Sequence, residues 1–182
     1  QIKPRNRKIG KTDDLVNSGL HCNPWTINFF DEEIIEIMKT GGIIGISLDQ
    51  RILGSSGIAL NSIRDKYFEP EYIPLQEWQK LFVNGEMPGA EAIEALEGLG
   101  PTREERHVML LCLHIIHAVR VGYKGLPWSG TDTPWKHLCI GSDFDGMINP
   151  INGIDTVLDL SKLAGELKRY LPVADKQLTT YT

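Results

Sequence analysis

The sequence predicts an α/β protein built from parallel helix–strand steps, and three observations carry that class. An amphipathic segment runs through Gly41-Gly42 into a short β-branched run, "IIGISL" at 43–48. A nearly all-apolar stretch, "HVMLLCLHIIHAV" at 107–119, leads through a Gly/Pro-rich loop into a second short apolar run that closes "HLCIGSDFDG" at 137–146. Both runs end in an acid, Asp49 and Asp143. Helix, tight turn and buried strand form the repeating step of a parallel sheet, and functional side chains in such sheets gather at the C-terminal ends of the strands.

Taken in order, residues 1–23 are polar and without periodicity, and read as a loop. Asn28 is expected to cap a helix, with Asp31 three residues on in the capping-box place. Ile34, Ile35, Ile37 and Met38 give that helix one apolar face, and Gly41-Gly42 stop it. The run Ile43 to Leu48 then suits a strand buried on both faces. Residues 50–100 are an irregular excursion punctuated by Pro70, Pro74 and Pro88, which suits an insertion or lid. Thr102 is expected to cap a long helix to about Val121, with Glu105 at the N3 place of its box. Because that helix is apolar all round, it should be buried. The strand Leu138 to Ser142 follows, and a last amphipathic helix should run from about Thr156 to Tyr170. From Pro172 onward the pattern gives no signal.

The 182 residues are enough for one α/β domain with a sizeable core. The net charge of −5 and one short N-terminal basic cluster argue against nucleic acid as a partner. No apolar run approaches the roughly 20 residues that span a bilayer. The compartment is left open between cytoplasmic and periplasmic or secreted, and so is homo-oligomerisation. Three cysteines without a CxxC spacing argue against a disulfide framework or a structural zinc site. Cys112 and Cys139 are expected to be small core residues.

Two carboxylates, Asp143 and Asp145, with one residue between them at the end of a buried strand cost free energy unless something uses them. Asp143 can serve as a proton acceptor, or cap the following loop through backbone N–H groups. Asp145 precedes Gly146 and suits a turn. His114 and His117, spaced i, i+3, share a helix face, but they lie mid-helix and read as structural residues near the site. His137 sits at the N-terminal, stability end of its strand. Asp49 and Arg51 are candidates for contacting substrate or for pairing with each other. Arg51 and Arg64 are the candidates for holding a substrate carboxylate, which arginine does bidentately.

The run Gly141-Ser142-Asp143-Phe144-Asp145-Gly146, preceded by a helix carrying His114 and His117, resembles the last strand of the renal (membrane) dipeptidase family. That family belongs to the metal-dependent amidohydrolase superfamily. "INFFDEEIIEIMKTGGIIGISL" at 27–48 is similar to the family's preceding helix–strand step. The resemblance implies a (β/α)8 barrel of the TIM type, of which this chain holds the last helix–strand units as one partial or gapped domain over 1–182. It also implies two zinc ions, with most of their ligands outside this chain. Dipeptide amide bonds would be hydrolysed by a metal-activated water, with Asp143 as proton acceptor and shuttle. His21 is the one histidine near an expected ligand position.

The chain departs from the family in places. None of its five histidines has Asp two residues on, so the family's His-x-Asp pair is missing, and Ile27 stands where the family has a substrate-holding Arg. Two other readings therefore stay open: a non-catalytic barrel-like binding protein without metals, and a related amidohydrolase acting on another amide.

Overall fold

The computed structural model describes residues 28–53, 103–146 and 149–180. In chain order these form α1 (Asp31–Lys39), β1 (Ile44–Ser47), α2 (Gln50–Leu53), α3 (Arg103–Gly125), β2 (Leu138–Gly141) and α4 (Leu160–Thr180). Short 3-10 turns precede β2, at Pro134–His137, and α4, at Val157–Asp159. The predicted insertion falls outside the described residues except for its first turn, which is α2.

β1 and β2 pair in parallel, with Ile44 opposite Leu138 and Ser47 opposite Gly141. A parallel pair needs a crossover, and α3 lies within it. Strand alternation sends Ile44, Ile46, Leu138 and Ile140 toward the helices, where they join the core. Gly45 and Cys139 point the other way and are exposed. Two expectations are corrected here. The strand is not buried on both faces, because among the described residues helices cover one face only. Cys139 is a surface residue, whereas Cys112 on α3 is buried, and burial pushes its thiol up to about 12.

α3 is the spine of the fold, buried along most of its length as its apolar sequence predicts. Leu110, Leu111, Leu113 and Ile116 meet Leu48, Leu53, Ile151, Ile154 and the inner face of α4. Nearer its C-terminus, Ala118 and Val121 meet Ile34 and Met38 of α1. Each of these large apolar side chains, once buried, contributes about 1.5–3 kcal/mol. The expected cap at Thr102 lies outside the described residues. Glu105, placed in its capping box, accepts the Tyr170 hydroxyl of α4 at 2.5 Å.

The cap of α1 also differs from expectation. Phe30 occupies the cap position, and its N–H donates to Glu33 Oε2 at 2.7 Å. Asn28 instead donates its side-chain amide to the Ile52 carbonyl at 3.2 Å. Asp31 is drawn away from capping by a stronger partner, the His117 Nε2–H, at 2.8 Å. α4 overruns its expected end at Tyr170 and continues through Pro172. An interior proline costs about 3 kcal/mol. Ala174 and Leu178 beyond it are fully buried, and Arg120 Nη2 reaches both the Asp175 carboxylate and its carbonyl at 2.6 Å, so docking onto α3 outweighs that cost.

Candidate functional site

The two strand ends bring the chemistry together. The parallel register ends at the level of Ser47 and Gly141, and Asp49 and Asp143 each follow two residues later. Beyond that level the chains part. Asp49 enters an isolated antiparallel bridge with Pro150, while Asp143 begins a turn closed by Gly146 N–H donating to the Asp143 carbonyl at 2.9 Å.

Asp143 has φ +48°, the left-handed region that Asp and Asn tolerate better than most residues. It is exposed, and its carboxylate makes no hydrogen bond or ion pair among the described residues. The loop-capping alternative would show that carboxylate accepting backbone N–H groups; the turn is closed by the main-chain carbonyl instead. Gly146 makes room for this arrangement. A Cβ there would collide with the carboxyl group of Asp143. Gly146→Ala is therefore expected to swing the Asp143 carboxylate aside. The fold should keep its stability within about 0.5 kcal/mol, since both residues are exposed. Any activity that uses this carboxylate should fall about tenfold or more in that variant. Wild-type turnover by that variant would show that this placement does not matter. Asp145 is exposed within the same turn.

Asp49 is nearly fully buried. Arg51 Nε donates to its Oδ1 at 2.9 Å and to its Oδ2 at 3.1 Å, Arg51 Nη2 pairs with Oδ2, and the Arg51 backbone N–H donates to Oδ1 at 2.8 Å. Burial alone would raise this carboxyl. The hydrogen bonds and charge of Arg51 outweigh burial and hold it below the usual carboxylate range. Of the two roles the sequence allows for this pair, the geometry displays mutual pairing.

His114 and His117 line a cavity of about 120 Å³ beside β1, together with Asn28, Phe29 and Ser47. His114 Nε2–H donates to the Leu53 carbonyl at 2.9 Å, and His117 Nε2–H to Asp31. The i, i+3 spacing thus ties α3 to α2 and to α1 at once. Asp143 lines neither this cavity nor the apolar cleft beside β2. Burial pushes His114 down to about 4, with His117 adding to the drop and the Leu53 bond opposing it. The folded state therefore binds this proton less readily than the unfolded chain, whose histidines titrate near about 6.5. The stability it contributes is complete above that value and is lost progressively as the pH falls toward 4. Urea midpoints between pH 7 and 4 should fall across this window, and His114→Gln should flatten the upper part of the slope. An unchanged slope would assign the acid sensitivity elsewhere.

His21 and Arg64 lie outside the described residues. His137 donates from Nδ1 to the Gly42 carbonyl at 2.8 Å, fastening the start of β2 to the Gly-Gly turn. Among the described residues, no three His, Cys, Asp or Glu side chains come together in a way that could hold a metal ion. Sequence reasoning missed Gln50, Asn149 and His107. Gln50 joins the end of β1 to Asn149 and Pro150, and His107 Nδ1 accepts the Asn152 N–H at 3.0 Å. Nothing in their local pattern marks them, because their partners are 45 to 100 residues away in the chain. No protein-family model matches the chain, and no curated protein and no solved structure matches it at a significant level.

Proposed function

We propose that the chain is part of a metal-dependent hydrolase of the dipeptidase type, its two helix–strand steps belonging to a (β/α)8 barrel. The observation that supports this reading is Asp143: an exposed carboxylate at the C-terminal end of a parallel strand, without a side-chain partner among the described residues, on a left-handed turn. In this reading Asp143 takes a proton from the attacking water and returns it to the leaving amine, the work of a positioned general base and acid. Zinc, when bound, would supply an acidified water at neutral pH. The described residues do not make a zinc site on their own, since no three His, Cys, Asp or Glu side chains converge among them. The ligands would come from residues outside them, His21 among them. The Asp49–Arg51 pair would border the substrate carboxylate, with Arg64 as the second candidate for it.

The test is elemental analysis of the purified full-length protein together with a panel of L,L- and L,D-dipeptides. About two zinc ions per chain and cleavage of some dipeptides support the reading. A metal-free protein that cleaves none is a binding module. Bound metal without dipeptide cleavage points to another amide as substrate.

A further inference from the structure

We propose that Gln50 is a positioning residue, whose side-chain amide fixes the return end of the loop that presents Asp143. The catalytic consequence rests on the function proposed above; the structural content does not.

Gln50 follows the strand-end acid Asp49 and is 2 % exposed. Its Nε2 donates to Asn149 Oδ1 at 3.0 Å and to the Pro150 carbonyl at 3.0 Å. Its Oε1 accepts from Arg103 Nη2 at 3.3 Å, and its backbone N–H donates to the Asn149 carbonyl at 2.9 Å. A carboxamide has two N–H groups and one carbonyl oxygen, and all three find partners here. Buried polar groups left without partners are costly, so the network holds as a unit. The bonds on either side reinforce it: Ile151 N–H donates to the Leu48 carbonyl at 2.9 Å and Asn152 N–H to His107. The other end of the loop is fixed by the pairing of Gly141 with Ser47. Asp143 lies between these two anchors and has no side-chain bond to hold it among the described residues. Its position therefore depends on where the loop ends are held, and a displacement of about 1 Å at a reacting group can cost about a hundredfold in rate.

An amide suits this place for a specific reason. Two acceptors, Asn149 Oδ1 and the Pro150 carbonyl, face one end of the side chain, and a donor, Arg103, faces the other. Glutamate has the same shape and keeps the Arg103 contact, but it turns an acceptor toward the two acceptors. Methionine keeps the volume and removes every side-chain bond, leaving only the backbone N–H bond to the Asn149 carbonyl.

The experiment uses Gln50→Glu and Gln50→Met in the full-length protein. It reads amide exchange at Gly146, Ile151 and Leu111, zinc content, and the kinetics on a dipeptide that the wild type cleaves. Exchange at Gly146 and Ile151 is expected to rise about tenfold while Leu111 in α3 keeps its protection. Zinc content should stay at the wild-type level. kcat should fall about tenfold or more with KM within about threefold, the split expected when a group is misplaced in the transition state. Unchanged exchange at both amides in both variants overturns the inference. So does loss of protection at Leu111 in both variants, which would make Gln50 a core residue. Faster exchange with unchanged kcat also overturns it. A wild type that cleaves no dipeptide defeats the proposed activity, and the exchange result then still decides whether Gln50 holds the loop.

Discussion

Replacing Asp143 with Asn is expected to lower the turnover of any cleaved dipeptide by about 10²–10⁴-fold, the usual contribution of a positioned acid–base group. The same change should leave folding stability within about 0.5 kcal/mol. Both halves follow from the same geometry. Asp143 is exposed and its carboxylate has no partner among the described residues, so no folded-state bond is lost. Its φ of +48° is a conformation that Asn adopts as readily as Asp, so the backbone turn persists. Asn keeps the shape and hydrogen-bonding reach but cannot accept and release a proton near neutral pH. kcat and the urea midpoint measured on one preparation separate the two effects. Turnover at the wild-type level would remove Asp143 from the chemistry. A large drop in the urea midpoint would mean that the carboxylate has a structural role.

The largest effect on stability is expected at His117→Leu, about 3–5 kcal/mol, the cost of breaking a buried pair by removing one partner. Asp31 is 7 % exposed and His117 2 %. Asp31 Oδ2 already lacks a partner among the described residues, so losing the His117 Nε2–H would leave the whole carboxylate buried and unbonded. The pair also joins the start of α1 to α3, so its loss loosens the packing of Ile34 and Met38 on Ala118 and Val121. The coupling is checked by a double-mutant cycle. Adding Asp31→Ala to His117→Leu removes the orphaned charge and should recover part of the loss. If the two single losses simply add, the side chains do not stabilise one another and the pairing is incidental.

The helix–strand order was legible because periodicity and punctuation are local. Ile34, Ile35, Ile37 and Met38 mark the face of α1, Gly41-Gly42 its stop, and the apolar runs 43–48 and 138–142 the strands. Their ends shifted where a distant partner outweighed a local preference. Asp31 sits where a capping acid belongs, yet it bonds His117, 86 residues away in sequence. From Pro172 onward the sequence gives no signal, yet α4 passes through it because Ala174 and Leu178 bury against α3. Cys139 reads as core because its neighbours are apolar, and alternation on a sheet covered on one face puts it outside.

At the candidate site the division is similar. The sequence by itself determined that two short parallel-type strands each end in an acid, and that two histidines share one face of a buried helix. Tertiary structure alone decided which acid is free and which is engaged. Asp49 folds back onto Arg51, while Asp143 stands exposed on its turn. It also decided that His114 and His117 brace neighbouring helices, and that Gln50 meets Asn149 and Pro150 across about a hundred residues of chain. The physical reason is that hydrogen bonds between side chains depend on approach to within about 3 Å. A local pattern can specify a helix or a strand, but only packing of distant segments sets which polar groups meet.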